Sequence, residues 1–235
     1  MFVKKANIRT QLYRNLFLWI KGVLNNNTMR TLIILILVVN LSITMKAQKT
    51  EIIPVTGVFK EIDVEKQNKA ISVLLTGDEE MKSTMRDLFF QDQNKWNPPV
   101  VYAISKVLFE QGYKDDAVMW FYIAQLRARI DANLCQDESA REAVAILNDK
   151  FGSSINEYAL KDVKKLKIIV KNAIEFVQKY KPTYDHRWIN LHGMWAINGI
   201  EKGKELSYPK EKWASIKKKT VDNYYADFEK YVLKK

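Results

Sequence analysis

The feature that most constrains this chain lies between Ala117 and Ile130. Ala117, Trp120, Phe121, Ala124, Leu126, Ala128 and Ile130 cover much of the circumference of a helix rather than one stripe. A helix that is apolar nearly all round is stable only when other elements cover it on several sides. The flanking sequence supplies helices to do this. Apolar residues recur at three- and four-residue spacing in 64–75, 81–89, 101–108, 143–147, 163–177 and 213–231, the period of one helix face. The fold class expected is therefore all-α: one compact helical domain over 63–235 with 114–130 as its central helix.

Start and stop residues set the boundaries. Asp63 and Asp78 are capping side chains, with Gly77 between the two helices they open. Asn97-Pro98-Pro99 combines a cap with proline where a missing N–H costs nothing. Gly112 ends that helix, and Asp115 and Asp116 favour the positive end of the next dipole. Asp137 or Ser139 opens a helix expected to close at Gly152, and Ser154-x-x-Glu157 has the form of a capping box for the next start. A helix from Asp162 to Tyr180 follows, then a less regular stretch over 182–208, then a last helix beginning at Pro209.

The N-terminal part is read as targeting sequence. Met29-Arg30-Thr31 precedes a mostly apolar run, Leu32–Ile43, and then Met45-Lys46-Ala47. A basic residue, a short apolar core and a small residue are the parts of a secretory signal, expected here over 29–47. The rival is an uncleaved inner-membrane anchor through residues 31–45, although the run is short of the roughly 20 residues a span needs. Translation is expected to start at Met29, leaving 1–28 as a spurious or disordered extension. The alternative for 1–28 is a basic amphipathic helix lying on a membrane. Residues 48–62 read as an extended lead-in with at most one short strand. An exported protein in the periplasm or cell envelope is the expectation.

Charge narrows the partners. The formal charge is +11, but seven of the 38 basic residues and none of the 27 acidic ones fall in 1–47, so the remainder carries about +4. That is a solubility statement and not a phosphate-binding footprint, so no nucleic-acid partner is expected. Membrane contact is expected only through the leader. A single cysteine, Cys135, excludes an intrachain disulfide and reads as an inert, buried thiol.

The string from Pro98 through Gly112-Tyr113-Lys114-Asp115-Asp116 to Ala117, Trp120-Phe121 and Ala124 resembles one unit of a tetratricopeptide or Sel1-like repeat, over about residues 98–130 only. The resemblance implies an antiparallel helix pair, its small residues allowing close approach and its aromatic pair filling the groove. No second copy follows at a period of 34 to 40, so a solitary repeat-like pair within a helical domain is expected. The wider string Asn97–Gly152, with Asp185–Gly193 downstream, resembles an exported bacterial protein family, a likeness that implies no activity.

Six residues stand out as partner-binding candidates: Arg127, Arg129, Asp131, Arg187, Trp188 and His192. Arg127 and Asp131 lie four apart on the apolar central helix, the spacing of an intrahelical ion pair. Arg187 and Trp188 are the residue types favoured as interface anchors. His186 and His192 are the only histidines and sit six apart, unsuited to one helix face, so neither metal nor other cofactor is expected. A protein-interaction module, of adaptor or immunity type, is favoured over an enzyme. The alternative is a small envelope hydrolase with a site near 182–208, for which His192, an arginine and a carboxylate should share one pocket.

Overall fold

A computed structural model of the protein describes residues 56–200 and 202–233. The leader, the extension before it and the first part of the lead-in lie outside the described residues. Within them the fold is all-α: α1 (Glu65–Thr76), α2 (Glu79–Gln91), α3 (Pro98–Glu110), α4 (Lys114–Leu134), α5 (Glu142–Ala159), α6 (Val163–Lys179), α7 (Met194–Asn198) and α8 (Lys210–Val232). Four short 3-10 segments punctuate them, and the sole β feature described is an isolated bridge between Cys135 and Ser207. No helix among the described residues is long and apolar enough to cross a membrane.

α4 is the hub. It packs against α3, α5, α6 and α8, and Ala117, Phe121, Ile123, Ala124, Leu126 and Ala128 are fully buried. This is the arrangement its all-round apolar sequence requires. The turn from α3 to α4 is three residues long, and Gly112 adopts φ +90°, a left-handed conformation that costs glycine little.

The caps behave as local chemistry predicts. Asp78 Oδ1 accepts from the Met81 amide at 2.8 Å and Asp162 Oδ1 from the Lys165 amide at 3.0 Å. Asn97 Oδ1 accepts from the Val100 amide. Asp63 acts from one place further out, accepting from the Glu65 amide while Val64 holds the cap position.

Three expectations are corrected. Gly152 does not close a helix: α5 runs through it to Ala159. A Cβ at Gly152 would meet the ring of Phe121 at 2.9 Å, so the glycine marks a close helix–helix approach, which overrides its breaker tendency. Ser154 and Glu157 consequently lie inside α5 and cap nothing. The described end of the lead-in is also not extended, since Gly57–Glu61 forms a 3-10 turn that buries Phe59 against Ile62 and Leu206.

The stretch 182–208 is irregular but tied down. Its 3-10 segment His186–His192 buries Trp188, Ile189 and Asn190. The Gln136 amide donates to Leu206 O and the Tyr208 amide to Leu134 O, stitching the segment to the end of α4. The Asp137 carboxylate, 4% exposed, accepts from the amides of Ser139 and Trp195, and so orders the start of α7 from 58 residues away.

Candidate functional site

The site is built on α4 because two charged side chains are buried there. Arg127 and Asp131 are each 2% exposed, and burying charge is costly unless each group finds partners. The intrahelical ion pair expected between them is not what satisfies them; no nitrogen–oxygen contact within 4 Å joins the two among the described salt bridges. Arg127 reaches toward the α2–α3 connection, donating from Nη2 to Asn94 Oδ1 at 2.7 Å and from Nη1 to Gln93 O at 3.2 Å. Its guanidinium also lies 5.4 Å from the centre of the Phe176 ring, a favourable cation–π placement. Asp131 turns toward the irregular segment. Its Oδ2 accepts from Trp188 Nε1 at 2.8 Å and from the Tyr184 hydroxyl at 2.9 Å.

Electrostatics follow from this burial. Removal from water lifts the Asp131 carboxyl to about 7, against the opposing pull of the two donors and the charges of Arg127 and Lys217. Burial raises the Tyr184 hydroxyl well above its usual value and lowers Arg127. His186 is lowered by burial as well; its Nε2 lies 2.8 Å from Ser207 Oγ and its ring meets Trp213 edge-on at 4.7 Å.

These groups line an open cleft of about 490 Å³ between α4, the end of α6 with Lys181 and Pro182, and α8. Its walls are apolar, with Ile130, Leu134, Val177, Trp213 and Val221, while Lys181, Lys217 and Lys218 join Arg127 as cations. Pockets of this size between helices, mostly apolar with a few fixed polar groups, are the usual form of a binding site.

The other candidates do not join it. Arg129, two residues from each of them and on the opposite side of α4, lies over the Tyr224 ring at 5.3 Å and lines polar grooves with Asn148, Asn156 and Asp227. Arg187 is held by Asp185 at 2.8 Å and approaches Glu61 at 3.8 Å, and the carboxylate beside it raises its already high pKa. Trp188 is not an exposed anchor: at 2% exposure it supports Asp131 from within. His192 is exposed and lines a separate, largely apolar groove with Glu142, Ile146 and Leu191. That groove contains no arginine, so the convergence expected of the hydrolase alternative does not occur there. Cys135 is buried beside Asp137 O and Asn190 Nδ2, with no histidine among its hydrogen-bond partners.

Sequence reasoning overlooked Trp213, Lys217 and Val221. Their signal was available: a four-residue spacing puts an aromatic, a cation and an aliphatic on one face of α8. The lysine run 217–219 instead reads as a solvated surface, which describes Lys218 and Lys219 better than the half-buried Lys217. Comparison of the chain with family models, curated proteins and solved structures gives no match.

Proposed function

We propose that the chain is an exported helical interaction module, of adaptor or immunity type, whose recognition site is the cleft between α4, α6 and α8. The observation that carries the reading is a preformed cavity of about 490 Å³, with its floor fixed before any partner arrives by the Tyr184 and Trp188 bonds to Asp131. A preorganised floor lowers the ordering cost of association. An apolar side chain projecting from a protein partner would gain burial against Val177 and Trp213. The α3–α4 pair supports the same reading through its repeat-like sequence, since tetratricopeptide-type pairs serve as scaffolds for presenting surfaces. Export rests on the leader pattern at 29–47, with anchoring through 31–45 as its alternative. Fold resemblance by itself supplies no chemistry, so the site has to be tested directly.

A photo-crosslinking amino acid placed at position 213 of the full chain, in the producing cell, tests the reading. A discrete protein adduct that is absent when the same group sits at exposed Ile168 is the expected result. No adduct from position 213, or the same adduct from both positions, would remove the cleft from consideration as a partner site.

A further inference from the structure

We propose that the cleft selects an apolar chain carrying one anionic group, with the chain against Leu134, Val177 and Trp213 and the anion at Lys217. This rests on the reading of the cleft as the recognition site and adds the chemistry of what enters it.

The first argument is charge. Four cations line the cleft, Arg127, Lys181, Lys217 and Lys218, and Asp131 is the one acid among the lining residues. Not all four are available. Arg127 uses both Nη groups on Gln93 and Asn94, leaving only its buried Nε without a partner, and Lys218 is paired with Asp222 at 2.6 Å. Lys181 and Lys217 make no ion pair with any described residue. Of these two, Lys181 is exposed, whereas Lys217 is half-buried with its ammonium 5.7 Å from the centre of the Trp213 ring. It is also close enough to Asp131 and His186 for its charge to act on both. Lys217 is therefore the cation that sits beside the apolar wall without a carboxylate of its own. Low-dielectric walls concentrate a field of one sign, so an entering anion is favoured and an entering cation is opposed.

The second argument is size and surface. At about 30 Å³ per non-hydrogen atom, taking water's share of liquid volume as a guide, the cavity holds on the order of 15 such atoms. That is room within the cleft for one apolar side chain with an acidic group beside it. The wall offers aliphatic and indole surface, and the only acid on the floor already accepts two hydrogen bonds. The occupant that fits the cleft's role as a protein recognition site is the apolar last residue of a protein partner with its C-terminal carboxylate; a free alkyl carboxylic acid shares the chemistry and is the competing outcome of the test.

Calorimetric titration of the full chain with decanoate below its micelle concentration, decylammonium, and a short leucine-terminated peptide as free acid and as amide is the experiment. Binding of an acid at one site, at least tenfold tighter than its uncharged or cationic counterpart, is expected. Lys217→Glu should weaken that binding at least tenfold, Lys217→Arg should retain it, and Lys219→Glu should leave it unchanged. Lys181→Glu, on an exposed side chain, gives a second and smaller loss should Lys217→Glu fail to fold. Tighter binding of the peptide acid supports a protein chain end as the occupant; tighter binding of decanoate overturns that assignment. Equal affinity for decanoate and decylammonium, or no binding of either acid, overturns the proposal. In that event a surviving crosslink at position 213 leaves the broader interaction reading standing, whereas loss of both removes both.

Discussion

Trp188 donates its indole N–H to Asp131 across 57 residues of sequence, at 2.8 Å, with both side chains 2% exposed. The bond joins the central helix to the irregular segment 182–208. It also makes the protonation of a single carboxyl a determinant of how firmly that segment is held.

Replacing Trp188 with phenylalanine removes this donor and leaves a void beside a buried acid. A cost of about 2–4 kcal/mol is expected from the lost bond and the unfilled volume. The loss should be greater at pH 8 than at pH 6, because the ionised carboxylate depends more on its donors. Urea unfolding at the two pH values checks this; an equal loss at both would mean that the indole acts through packing alone.

Asp131 itself should impose a pH dependence on stability. Its folded value of about 7 lies above the ordinary 3.8, so between those values the folded state holds a proton that the unfolded chain has released. Its contribution is complete below about pH 4 and is lost as the pH rises through 7. The change is on the order of 4 kcal/mol at most. Asp131→Asn keeps a carbonyl oxygen for Trp188 and Tyr184 and should flatten this part of the profile. A profile that keeps its slope between pH 4 and pH 7 in the variant would assign the dependence to another group.

Gly193 has no room for a side chain. A Cβ there would lie 2.2 Å from Asp137 Oδ2, and that carboxylate cannot retreat without releasing the amides of Ser139 and Trp195. Gly193→Ala is expected to cost about 2–3 kcal/mol, in the range of a lost cap with local strain. Because both changes strike one feature, Asp137→Ala combined with Gly193→Ala should cost less than the sum of the single variants. Thermal denaturation of the three variants measures the coupling; strict additivity would contradict the shared origin.

Cys135 should be silent toward thiol reagents in the folded protein. It is fully buried, and burial pushes its thiol up to about 12, so little thiolate forms at pH 8. Reaction with a chromogenic disulfide should be slow in buffer and fast in urea. Rapid labelling of native protein would reveal an opening of the α4 terminus.

Much of the helical framework was legible along the chain. Asp78, Asn97 and Asp162 mark helix starts because a capping oxygen and the amide it serves are at most three residues apart. The circumference of α4 announces a buried hub for the same reason, since helix geometry converts sequence spacing directly into direction. Gly152 misleads because its reason lies in Phe121 of another helix, and Ser154-x-x-Glu157 misleads with it.

The candidate site divides along the same line. Sequence singled out Arg127 and Asp131, since charge on an apolar helix is conspicuous wherever that helix goes. It could not say that each would turn away from the other, toward Asn94 in one case and Trp188 in the other. Nor could it exclude Arg187 and His192 from their company or bring Trp213 and Lys217 into it, because α8 meets α4 only through the tertiary fold. The sequence by itself determined which segments are helices and which of them must lie at the centre, as these depend on neighbours within a turn. Tertiary packing alone decided where the buried charges find partners and where a cavity remains, for those depend on side chains brought together from more than 30 residues apart.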